Sequence, residues 1–91
     1  MELGFAAVRK SIAAARLALA ETGEPQWTGD RRTGWLQALD AIDRFLDGDE
    51  SERGFSIIRS LDAGVGTDGA TSRAILEVAT ALRLGGIDRY R

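Results

Sequence analysis

An all-α bundle of four helices is the fold this sequence predicts, and three observations predict it. Apolar residues recur at spacings of three and four through most of the chain, glycine-containing breaks separate four such segments, and a single proline leaves the backbone free to be helical. At 91 residues the chain is expected to be one domain, burying about 60–65% of its unfolded surface and too short for two independent cores. A composition of 44% hydrophobic and 29% charged residues is that of a globular protein rather than a disordered tail.

The first helix is expected over residues 3–22. Phe5, Val8, Ile12, Ala15 and Leu19 form one stripe, and Ala6, Ala13, Leu17 and Ala20 would widen it. So many alanines mean small knobs and close backbone approach, which suits a central helix or the seam of a homodimer. Gly23 and Pro25 end it. The stretch 23–33 (GEPQWTGDRRT) loses all periodicity and reads as the longest loop.

The second helix is expected over 33–47, with Asp30 or Thr33 as N-cap and Trp35, Leu39, Ile42 and Leu46 facing the core. Gly48 closes it. A short third helix over 51–62 would start at Ser51 as N-cap, with Asp49, Glu50 and Glu52 where the helix dipole favours negative charge, and would carry Phe55, Ile58 and Leu61. A glycine-rich turn precedes the fourth helix, 69–84, whose apolar positions are Ala74, Ile75, Val78 and Leu82. Residues 85–91 are a tail containing Arg89, Tyr90 and Arg91.

Absent residue types exclude much chemistry. Without cysteine there is no disulfide framework and no thiolate metal site, and the fold does not need an oxidising compartment, so the cytoplasm is the default address. Without histidine, and with Lys10 as the sole lysine, general acid–base work near neutral pH would fall to carboxylates or Tyr90. Nucleophilic triads lose their usual base. The sequence therefore predicts no enzyme, no catalytic residue and no cofactor. Leu3 to Ala20 carries Arg9, Lys10 and Arg16 with no acidic residue, as a transit peptide would, but removing it would delete a helix the core needs. No uncharged apolar run is long enough to span a bilayer, and no membrane partner is expected.

Three local patterns invite sharper readings. GVGTDG, residues 64–69, spells a dinucleotide-binding fingerprint, but no second strand exists to build the parallel unit that gives the glycines their meaning. The run Asp40, Asp43, Asp47, Asp49, Glu50, Glu52 suggests a cation site. Aligned on Asp47, however, the EF-hand pattern meets Glu52 in place of its glycine and Ile58 in place of its bidentate glutamate, so no EF-hand and no metal site is expected, a loose magnesium site on Asp40, Asp43 and Asp47 being the lesser alternative to a solvated face. Asp40, Asp43 and Asp47 do share one helical side, and Asp47 lies at the helix end where a cation would be favoured, which points to a basic partner. The third pattern is Trp27, Arg31, Arg32 and Trp35, which concentrates residue types that dominate binding hot spots. Trp35 is expected inside; Trp27 is the better candidate for exposure of the two, although a loop tryptophan in a small domain more often plugs the end of the core.

The stretch 71–82 (TSRAILEVATAL) resembles the last helices of small repressor domains, over a dozen residues of a common amphipathic pattern. A helix-turn-helix would place Thr71, Ser72 and Arg73 at the start of the recognition helix. Against it stand a long interhelical connection, a net charge of −2 and no electrostatic footprint for phosphate.

The function expected from sequence is thus a small non-catalytic regulator, inhibitor or adaptor that binds another protein, of the kind phages and mobile elements encode. Its expected surfaces are an acidic face of Asp40, Asp43, Asp47, Asp49 and Glu50, and an arginine–aromatic surface of Trp27, Arg31, Arg32 and Tyr90. DNA binding is the first alternative and a small carboxylate–metal enzyme the second.

Overall fold

In the computed structural model, which describes residues 3–63, 65–66 and 69–87, the four helices come in the expected order. They are α1 (Leu3–Glu21), α2 (Gly29–Leu46), α3 (Glu52–Arg59) and α4 (Gly69–Leu84), with a 3₁₀ turn at Pro25–Trp27 and no strand among the described residues. One core joins all four. Val8, Ile12, Ala15 and Leu19 of α1 meet Leu39, Ile42 and Phe45 of α2, Ile58 of α3, and Ile75, Val78 and Leu82 of α4. The radius of gyration, 12.3 Å, is what a close-packed chain of this length requires, about 12 Å.

Packing is most extensive between α1 and α4, with α2 on the other flank of α1 and α3 laid on α2. Arg9 reaches Asp43 and Asp47 while Arg16 reaches Asp40 and Asp43, so α1 and α2 are antiparallel. The buried stripe of α1 is narrower than its sequence suggests. Phe5 is 37% and Leu17 58% exposed, and Ala6, Ala13 and Ala20 face outward. Alanine is compatible with either side of a helix, so the flanking row sits in solvent without cost.

The expected loop 23–33 is shorter, and α2 starts at Gly29 instead of residue 33. Pro25 opens the 3₁₀ turn, where its fixed φ fits and its missing N–H costs nothing. Neither Asp30 nor Thr33 is the N-cap. Thr28 holds that position without a side-chain cap bond, its hydroxyl donating instead to the Pro25 carbonyl, and Thr33 bonds back to Gly29 within the helix. Ser51 does cap α3, its Oγ accepting from the Gly54 N–H at 3.0 Å. That helix ends at Arg59, short of residue 62.

Val65 and Ser72 pin the start of α4, the buried Ser72 hydroxyl donating to the Val65 carbonyl. Gly69 takes φ +88°, and a Cβ there would stand 2.8 Å from Glu24 Oε2. Glu24 thus lies beside the N-terminus of α4, where the dipole favours a carboxylate. Gly69→Ala is expected to cost about 1 kcal/mol, chiefly as backbone strain, because the glutamate can swing aside. Urea denaturation midpoints read this directly.

Candidate functional site

The acidic row of α2 is already engaged. Arg9 donates to Asp43 Oδ1 at 3.0 Å and to Asp47 Oδ1 at 2.6 Å. Arg16 lies 3.4 Å from both Asp40 Oδ1 and Asp43 Oδ2, and Arg44 closes on Asp40 Oδ2 at 3.1 Å. Three arginines face three aspartates, so the row sums to zero charge. The hydrogen bond to Asp47, added to the charge of Asp47 and Asp43 and opposed by partial desolvation, raises the Arg9 pKa above its ordinary value. A raised pKa means that this contribution is complete at physiological pH and is lost only as pH climbs through the arginine range.

Arg9 of α1 supplies the cation that the position of Asp47 at the end of α2 favours. The arginines that gave the first helix the look of a transit peptide serve that pairing. Asp49 and Glu50 remain exposed at the α2–α3 turn. Among the described residues no group of three or more histidine, cysteine or acidic side chains is arranged to hold a metal ion.

The tryptophan–arginine cluster assembles around a buried centre, and of the two readings of Trp27, exposed anchor or plug at the end of the core, the structure has the plug. Its relative exposure is 0%. Trp35 meets it edge-on with centroids 6.3 Å apart, and the Arg31 guanidinium lies 4.7 Å from its ring centroid. Arg32 acts as a strap, donating from Nε to the Trp27 carbonyl and from Nη2 to the Thr22 carbonyl, both at 3.0 Å. The second bond satisfies a carbonyl left without an intrahelical partner at the end of α1. Arg32 thereby belongs to the fold, while Arg31 is exposed. Tyr90 lies outside the described residues, as do Arg89 and Arg91, and so do Gly64, Thr67 and Asp68 of the glycine-rich motif.

An open feature lies between α2 and α3. These helices are antiparallel, since Gly54 stands against Phe45 while Ser60 and Leu61 border the depression shared with Arg31 and Trp35. That depression, about 340 Å³, has an apolar floor of Trp35, Ala38, Ile57 and Leu61, with Gly34 at its lip. Toward the other end of the same helix pair lies a polar depression of about 440 Å³, bordered by Asp40, Arg44, Asp49 and Arg53. The two share no lining residue, and the apolar one is the trough between α2 and α3.

Sequence reasoning missed this trough. Trp35, expected inside, is half buried, meeting Trp27 edge-on with one side and lining the trough with another. The signal that could have revealed it is Gly34, a glycine inside a helix.

The start of α4 does not present a recognition surface of the expected kind. Thr71 and Ser72 are 4% and 2% exposed, and of the three named residues only Arg73 faces solvent. Comparison with protein-family models, with curated proteins and with solved structures finds no match for this chain.

Proposed function

We propose that this protein is a non-catalytic binding module that acts on another protein as a small regulator, inhibitor or adaptor, of the kind phages and mobile elements encode. One observation carries the reading. In a fold that closes its core with a fully buried Trp27, the apolar trough between α2 and α3 leaves Trp35, Ala38 and Ile57 partly open side by side. Aromatic and aliphatic anchors beside an arginine are the composition of interface hot spots. The absence of histidine and cysteine from the chain supports binding over catalysis.

Internal pairing of Asp40, Asp43 and Asp47 moves the emphasis away from the acidic face. Asp49, Glu50 and the outer edge of Asp47 then act as a charged rim, and Arg31 as the polar neighbour of the anchors. Rim charges of this sort tune association rate and partner choice more than affinity.

Affinity capture from native-host lysate, with nuclease, tests the proposal when run with the wild type beside Ala38→Arg. The expected result is a stoichiometric protein partner that survives nuclease and is lost with Ala38→Arg, while the circular dichroism and melting of that variant stay near wild type. Recovery of nucleic acid alone, abolished by nuclease, would overturn the reading in favour of DNA binding through Arg73. Light scattering on the same preparation tests self-association through the outward row Ala6, Ala13, Leu17 and Ala20. A dimer dissociated by Leu17→Glu would give that face to a second copy.

A further inference from the structure

The outward face of α1 carries two charges that the fold leaves unanswered. At 3.6 residues per turn, Lys10, Leu17 and Glu21 project within about 40° of one another. Ala13 flanks them on one side and Ala14 on the other, and all five residues are exposed, Leu17 to 58%. Arg9 and Arg16, at the edge of this face toward α2, are committed to the aspartates there.

Lys10 and Glu21 are not so committed. Neither has an ion-pair partner among the described residues. None can arise within α1, because the positions three and four away from Lys10 are all alanine, and those before Glu21 are Leu17 and Ala18. Glu21 is also the last residue of α1, where the helix dipole disfavours a carboxylate and no basic residue stands in the last turn. A face otherwise of alanine and leucine thus bears one cation and one anion, about 16 Å apart along the axis.

We infer that two copies of this chain pair through this face with their α1 helices antiparallel, Lys10 of each against Glu21 of the other. A two-fold axis makes the ion pair twice. The same register seats the leucines. With Lys10 level with Glu21, Leu17 comes level with Ala14 of the second copy and about 1.5 Å from the level of Ala13, so each leucine enters the gap between two alanines. A parallel arrangement sets lysine on lysine and glutamate on glutamate, which repel. The face holds both halves of each ion pair at matching spacing, so a second copy is the occupant it fits. This pairing uses no residue of the trough between α2 and α3, and its failure would leave the protein-binding reading standing.

The test is sedimentation velocity over a concentration series, on wild type and charge variants. One helix per copy makes a small interface, so the wild-type dimer is expected to dissociate on dilution. Lys10→Glu should weaken self-association about tenfold, with a smaller loss at high salt. Glu21→Lys should weaken it similarly, yet raise the melting temperature of the dilute monomer by relieving the helix end, a pairing of signs that a purely structural role does not give. Lys10→Glu combined with Glu21→Lys keeps the net charge and exchanges the two partners, and should return the dimer to near wild-type affinity.

Orientation is read separately. The chain has no cysteine of its own, so Ala7→Cys, at the exposed edge of the face, places one spin label on each copy. Antiparallel pairing in this register sets the labelled positions about 25–30 Å apart, and parallel pairing sets them within about 15 Å. A monomer at every concentration up to about 1 mM, undiminished association of Lys10→Glu, no recovery in the double variant, or the short label distance would each overturn the inference.

Discussion

Trp27→Ala is expected to destabilise the protein by about 3–5 kcal/mol, the usual range for truncating a buried aromatic, and to leave a chain of this size at the edge of folding. Trp27 has the largest side chain among the fully buried residues. It sits where the end of α1, the 3₁₀ turn and the start of α2 converge, under Trp35 and Arg31. Removing the indole opens a cavity that Trp35 and Arg31 can fill only by leaving the trough. The strap from Arg32 to the Trp27 carbonyl would survive, since it uses the backbone.

A second substitution separates volume from polarity. Trp27 Nε1 is buried without a hydrogen-bond partner, a cost of about 1–3 kcal/mol that the fold bears in exchange for the ring. Trp27→Phe removes the orphan N–H with part of the volume, so its loss should be well under half that of the alanine variant. Urea denaturation followed by Trp35 fluorescence measures both. Equal losses for the two variants would mean that the ring is not what fills this junction.

Much of the architecture was legible because helical spacing and glycine breaks are local signals. α4 runs over the expected residues, Ser51 caps α3, and the stripe Val8, Ile12, Ala15, Leu19 is buried throughout. What was not legible depends on contacts between distant segments. Asp30 to Thr33 read as loop because all four are polar and lie between Gly29 and Gly34, yet the Arg32 strap and the burial of Trp27 carry α2 back to Gly29.

The acidic row reads as an open face when α2 is considered alone. Beyond the local pair of Arg44 with Asp40, its neutralisation comes from two arginines more than twenty residues away, spaced seven apart on α1 so that both face the same side. An alanine row is ambiguous for a related reason, since alanine fits a close helix contact and a solvent face equally well.

Asp43→Lys is expected to lower the melting temperature by about 5–10 °C at low salt, although it changes a surface charge. Asp43 is the aspartate shared by both α1 arginines, and its side chain, 29% exposed, is the most covered of the row. Lysine there removes two ion pairs and sets a third cation against Arg9 and Arg16. Like charges at such distances repel about as strongly as the lost pairs attracted. Salt should shrink the effect, because all these groups are partly hydrated. Arg16→Asp combined with Asp43→Lys restores an opposite pair across α1 and α2, and should recover part of the loss beyond the sum of the single changes. An unchanged melting temperature for Asp43→Lys would mean that the network does not hold α1 on α2. The aspartates would then be available to a partner at no cost to the fold, and the acidic face would regain its place beside the trough as a binding surface.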